Sequence, residues 1–456
     1  MIRNVILSGL LFASLAACGD DGNTTTTPDG NTVTPDTPQG GSVIRVNDNI
    51  TASTTWESKN VYVLPRLQQV FVEPGATLTI EPGTLIQGEQ GSVLVVTRGA
   101  KIMAEGTKDK PIVLTSSQPT GMKAAGWWGG LLILGAAPHN TNRITGSEEA
   151  TFEAFTSAIP EGKFGGTNAT DNSGVIKYVR IEFAGFNYVA DREFNNLTLC
   201  GVGSGTTIDY VQVHGGSDDG IEFFGGTVNV KHIVSSQNQD DGFDTDNGWR
   251  GKAQFLVIQN IAHPATLPEA SNGYESDNHG TAASYAQEPR TEPTIYNATL
   301  IGDHPYTGVA SFAAVFRRGT GGHYYNHIFY GFPKGPEFRD PETKAQLDAN
   351  KLEIRSSMFF NNDVSPTNLP VAQATGDIDE SLYIDAARNN QFNVDPGLTA
   401  GALNKAQPDF KPAAAAAALT GGATPPNDGF FDVSATFVGA IGADDWTAGW
   451  TAYPQN

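Results

Sequence analysis

Basic side chains, methionine and cysteine are all scarce in this sequence, and each shortage narrows what the chain can be. Of 456 residues, 28 are Lys or Arg against 49 Asp or Glu, a formal charge of −21. Nucleic-acid affinity rests largely on Lys and Arg displacing counterions, so no nucleic-acid partner is expected. Methionine occurs 4 times and helical heptads are absent, while Gly (52) and Pro (26) are frequent. That balance favours short strands joined by many turns. No Walker loop, nucleophile elbow or dinucleotide fingerprint is present, so the chemistries built on them are not expected. His323 and His327 are spaced i, i+4, but the apolar residues around HYYNH read as strand. With His214, His232 and His279 they are expected to be ordinary surface or turn residues, since zinc sites of this spacing need a helix.

What the chain does contain is a repeat. TIDYVQVHGGSDDGIEFFGG, from Thr207, aligns with NVKHIVSSQNQDDGFDTDNG, from Asn229, after a shift of 22 residues. Ile208 then meets Val230, Val211 meets Ile233, Asp218-Asp219 meets Asp240-Asp241, and Gly220 and Gly226 meet Gly242 and Gly248. A period near 22 with β-rich runs and a glycine turn in each unit describes a coil of stacked rungs. Val175 to Glu182 copies the strand at Ile208 from 32 residues earlier, so the surplus must leave the coil, with FNYVADREF from Phe186 as the candidate loop. Gly273-Tyr274-Glu275-Ser276-Asp277 repeats Gly242-Phe243-Asp244-Thr245-Asp246 after 31 residues, with HPATLPEAS from His263 as a second loop. Ile295 to Ile301 and His327 to Phe332 read as further strands. DPETKAQLDANKLEI, from Asp340 to Ile354, has helical composition and is expected as a short helix outside the coil. The alanine run 413–418 is a second helix candidate. The aromatic segment from Phe430 to Asn456 is expected to cap the open end of the coil, which otherwise exposes core and unpaired strand edges.

VFVEPGATLTIEPGTLIQG, from Val70, and SVLVVTRGAKIMAEGTKDKPIVLTSS, from Ser92, alternate apolar and polar residues between glycine turns. They read as short strands. Their phrasing, continued in GWWGGLLILG (126–135) and NSGVIKYVRIEFAG (172–185), is similar to the coils of bacterial right-handed parallel β-helix proteins of the pectate-lyase-like superfold. This resemblance covers most of the mature chain. It implies an all-β fold, a single-stranded right-handed parallel β-helix with loop insertions and capped ends. In such a coil equivalent residues stack about 4.8 Å apart.

At the N-terminus an apolar run from Val5 to Leu15, too short to span a bilayer, is followed by Leu15-Ala16-Ala17-Cys18. The tetrad resembles the bacterial lipoprotein lipobox. It implies a signal peptide over 1–17, acylation of the Cys18 thiol and of the new amino group, and a stable anchor at about 0.8 kcal/mol per buried CH₂. Gly19 in place of the Asp that retains lipoproteins in the inner membrane implies the outer membrane of a Gram-negative bacterium, on its periplasmic or cell-surface face. Residues 18–42, rich in Thr, Asp, Pro, Gly and Asn, read as the lipidated Cys and a disordered tether, and 43–456 as the β-helix domain with its C-terminal cap. An acylated Cys18 leaves Cys200 without a partner. Cys200 is then expected to be a buried, inert thiol, and packing carries the stability.

The strongest cluster of chemistry is acidic. If Ile221, Phe243 and Tyr274 point inward, alternation places Glu222, Asp244 and Glu275 outward in one column and Asp246 and Asp277 in a second. Asp218, Asp219, Asp240 and Asp241 add four carboxylates at the preceding turns. Carboxylates one rung apart repel by about 3 kcal/mol at an effective dielectric of 20, so the array needs compensation. One reading is turn chemistry, with Asp capping backbone and the outward carboxylates paired with Arg250, Lys252, Arg317 or Arg318. A second is a cation site, for which all-oxygen ligation selects Ca²⁺ over zinc. An EF-hand is excluded, because Asp244-Thr245-Asp246-Asn247-Gly248 puts Gly one place early and Phe255 where a Glu is required. A third is a catalytic acidic groove. SDDGIEF is similar to the paired-aspartate segment of polygalacturonases, but the rest of that signature is missing. The expected function is a membrane-anchored envelope module that binds glycans or another envelope component without turnover, as a monomer. The alternative is a calcium-dependent polysaccharide lyase or glycoside hydrolase acting on acidic polysaccharide.

Overall fold

The computed structural model describes residues 41–141, 146–156, 159–188, 193–260, 271–303, 311–362 and 385–456. Cys18, the signal segment, the tether as far as residue 40, the tip of FNYVADREF at 189–192 and HPATLPEA at 263–270 lie outside them.

A single rung shows how the sequence makes the coil. Val61–Leu64, Gln69–Val72 and Thr77–Ile80 are three short strands separated by turns such as Pro74-Gly75, where Gly75 sits at φ +87°. That conformation is open to glycine without a Cβ clash. The next rung pairs parallel and in register, Val61 with Leu85, Gln69 with Val93 and Thr77 with Lys101. Repetition builds three faces around one apolar interior. The 22-residue alignment is the physical register, with Ile208 opposite Val230 and Ile221 opposite Phe243.

From Gly174–Glu182 onward, the last strand of one rung and the first of the next fuse into one long bent strand. Two faces therefore join as a 16-stranded sheet, while the remaining face is a separate nine-stranded sheet from Gln69–Val72 to Lys334–Phe338. Each bend is a residue in the left-handed conformation: Tyr178 (φ 49°), Tyr210 (53°), His232 (52°), Phe255 (64°), Asn297 (57°) and Asn326 (60°). Asn and His tolerate this region, whereas the bulkier Tyr and Phe rarely enter it. The aromatic members are held by stacking, with ring centroids 4.4, 4.1 and 4.9 Å apart along Tyr178, Tyr210, His232 and Phe255.

Four sequence expectations change. The helix runs only from Pro341 to Asp348, capped by Asp340 accepting from the Thr343 N–H, and Leu347 joins the core. Ile354 lies in the strand Leu352–Arg355 because the register of the preceding rung reclaims the chain there. The alanine run forms a single short 3₁₀ turn at Ala417–Leu419, with Ala418 packed beside Ile328 and Met358. Packing overrides helix propensity. The strand expected from His327 to Phe332 spans Gly322–Tyr330, since it includes the bend at Asn326.

The fourth change is the largest. The C-terminal segment doubles back along the flank of the coil as a strap, where a cap across its end was expected. Gln212 clamps both backbone groups of Ala452 (2.7 and 3.0 Å), Gln254 those of Asp432 (3.3 and 2.7 Å) and Asn326 those of Ala423 (2.8 and 2.7 Å). Beneath it lies an outward, mainly apolar column, Val234, Val257, Thr299, Ile328 and Met358, with Ile301 beside it, covered by Trp450, Ile441 and Val438. The aromatics of this segment are packing residues, as expected, in a different place.

Candidate functional site

The outward side of the nine-stranded sheet changes character along the coil. One column reads Phe71, Val95, Leu132, Thr198, Glu222, Asp244, Glu275, Val315, Glu337. A neighbouring column includes Leu134, Cys200, Phe224 and Asp246. The apolar half is roofed by Phe152, Phe155, Phe164 and Phe194, which arrive on the chain segments that leave the coil. Cys200 is fully buried beneath this roof, as expected, and burial pushes its thiol well above the usual range. The acidic half is open.

The paired aspartates divide their work. Asp219 accepts the Asp241 N–H of the next rung (2.9 Å) and Asp241 accepts the Asn272 N–H (2.7 Å). Asn195 does the same for the Asp219 N–H (3.2 Å) and Asn272 for the Phe312 N–H (3.0 Å). Turn chemistry is thus real at this ladder, although each side chain caps the following rung and not its own turn. Its two ends show that a neutral amide is enough. Aspartate in the two middle rungs adds charge that the backbone does not require.

That charge is packed tightly. Carboxylate oxygens of Asp219, Glu222 and Asp244 lie within 4.8 Å of one another, as do those of Asp218, Asp219 and Asp240. Burial first, and the neighbouring carboxylates second, push Asp218, Asp219, Glu222 and Asp244 well above the carboxylate range. The same causes take Asp241 up to about 8 and Asp246 up to about 7. Glu222 accepts from Asn195 Nδ2 (2.6 Å), and Asp246 from the Asn247 backbone and side-chain amides (2.5 and 2.8 Å). Asp244 Oδ1 is buried with no hydrogen-bond partner.

Compensation by arginine reaches only one end. Arg317 Nε grips Asp277 (2.9 and 3.1 Å), its Nη2 bonds Glu275, and Arg318 Nη1 reaches Asp277 at 2.7 Å. Burial opposes the charge on Arg317, but Asp277 and Glu275 outweigh it and hold the guanidinium raised. Arg250 does not take part. The chain turns a corner at Gly248-Trp249, so Arg250 pairs with Glu292 at 3.2 Å and Lys252 with Asp428 at 2.5 Å on another face. Among the described residues no ion pair joins Asp219, Glu222 or Asp244 to a cationic side chain.

Two clefts flank the column of Glu222, Asp244 and Glu275. One, of about 310 Å³, is bordered by Asp240, Asp241, Arg317 and Arg339. The other, of about 450 Å³, has Asp246 and Asp277 in its floor and Thr151, Phe164, His279 and Gly280 in its walls. Over residues 48–451 the sequence matches the model of the pectate-lyase-like β-helix domain. The chain belongs to that family. No curated protein and no solved structure matches it.

In this member of the pectate-lyase-like β-helix family, all nine predicted acidic residues sit on or beside the open half of one face. The oxygen-only donor set and the orphaned Asp244 Oδ1 fit a hard divalent cation, whose opposite ligands lie about 5 Å apart in a calcium sphere. Sequence reasoning missed Asn195, Asn272 and Arg339. Arg339 was findable, because EFRD places it one rung after Arg317. It also read His279 as an ordinary turn residue, whereas it forms part of the cleft wall.

Proposed function

We propose that this chain is a lipid-anchored protein of the Gram-negative outer membrane, acylated at Cys18, whose β-helix holds Ca²⁺ in the acidic groove and binds an acidic glycan there without turnover, as a monomer. The observation that carries the reading is the mutual approach of Asp219, Glu222 and Asp244 with Asp244 Oδ1 buried and unpartnered. Asp219, Glu222 and Asp244 would be the protein ligands, with Asp218 and Asp240 beside them. Ca²⁺ takes six to eight oxygens, so three carboxylates leave positions for a ligand's own oxygens. The remaining groove carboxylates accept hydrogen bonds from sugar hydroxyls, and Arg317 and Arg318 face anionic groups at the far end. Without the cation the same groove repels a polyanion.

Thermal unfolding of the domain from Val43 to Asn456 in EDTA and then in millimolar Ca²⁺ tests this. At 100 times its dissociation constant a cation bound only to the folded state adds about 2.7 kcal/mol, so the midpoint is expected to rise clearly, and Asp244→Asn to abolish the rise. An unchanged midpoint rejects the site. One feature favours a second reading, hydrolysis or lysis of the glycan: burial and neighbouring carboxylates raise Asp241 to about 8 and Asp246 to about 7, so that each carries its proton for much of the time near neutral pH, as a general acid must. Release of new chain ends from a polyuronate by the wild type, lost in Asp246→Asn, would establish that reading in place of simple binding.

A further inference from the structure

The groove is blind at one end. The column that carries Glu222, Asp244 and Glu275 continues through Thr198, Leu132, Val95 and Phe71, and there it is covered. Phe155 packs on Phe71 with centroids 5.9 Å apart, and Phe152 meets Phe224 edge-on at 5.6 Å, at the boundary between the two halves. Leu132 and Thr198 are fully buried, so no ligand shares that stretch with the roof. Thr151, Glu153 and Phe164 of the same insertion stand as the end wall of the larger cleft. A chain lying along the carboxylate columns therefore meets a wall of protein beside Glu222.

We infer that the groove receives the terminus of an acidic glycan chain and excludes its interior. The inference rests on the glycan-binding reading above. It assigns the insertion a role in selecting ligands, since it converts a face that would otherwise run the length of the coil into a pocket with a stop. A polymer that binds by its end offers a fixed number of sites per molecule, whereas one that binds along its length offers more sites as it grows.

The test counts protein bound per polymer chain, by sedimentation or light scattering, on polyuronate fractions of short, intermediate and long defined length in millimolar Ca²⁺. Binding that stays at one protein per chain across the series is the expected result. Binding that rises in proportion to length overturns the end-pocket and leaves the glycan reading intact. Failure of every polyuronate in the panel to bind overturns both.

Discussion

Asp219 is where backbone support and site charge meet in one side chain, and two substitutions separate them. Asp219→Asn keeps an oxygen for the Asp241 N–H and removes a charge, so in EDTA the protein is expected to be at least as stable as wild type while its Ca²⁺ affinity falls about tenfold or more. Asp219→Ala also orphans that buried N–H and is expected to cost about 1–3 kcal/mol. Denaturant titrations with and without Ca²⁺ distinguish the two effects. At Gly280 an added Cβ meets no atom within 4 Å, so Gly280→Trp is expected to fold normally and obstruct the larger cleft. Unchanged glycan affinity in that variant would place the ligand elsewhere.

The strap is the element least legible in the sequence. The rungs declared themselves because each repeats the last, and the alignment of Asp218-Asp219 with Asp240-Asp241 became the register of the acidic ladder. Residues beyond Asn393 have no such partner copy. They are gripped by Gln212, Gln254 and Asn326 through their backbone, and backbone recognition leaves no pattern in the recognised sequence. The aromatic content from Phe430 revealed a packing segment without saying what it packs on. Arg250 misled for a related reason: spacing along the chain does not show which corner a rung has turned. Gln254→Ala or Asn326→Ala removes a two-point clamp and is expected to cost about 1–3 kcal/mol, measured by thermal unfolding. Truncation before Phe430 is expected to expose Val234 and Val257 and to increase binding of an apolar dye.

For the molecule as a whole, the acidic array sets how stability varies with pH. Aspartates in an unfolded chain titrate near 3.9, whereas Asp246 and Asp241 titrate near 7 and 8 in the fold. Between those limits the native state binds more protons than the unfolded state, so stability falls as the pH rises from about 4 to about 8. In EDTA the unfolding midpoint is expected to drop across that window. With Ca²⁺ the drop is expected to shrink, because a bound cation replaces the protons it displaces.

The strap also bears on the order in which the chain reaches this state. Rungs join neighbours a few tens of residues apart and can assemble early in folding, whereas Gln212 must find Ala452, 240 residues away. Until the strap docks, Val234, Val257, Ile328 and Met358 form a wet apolar stripe on an otherwise assembled coil. Docking of the strap is therefore the step that closes this surface, and the interval before it is when the folding protein is most exposed to aggregation.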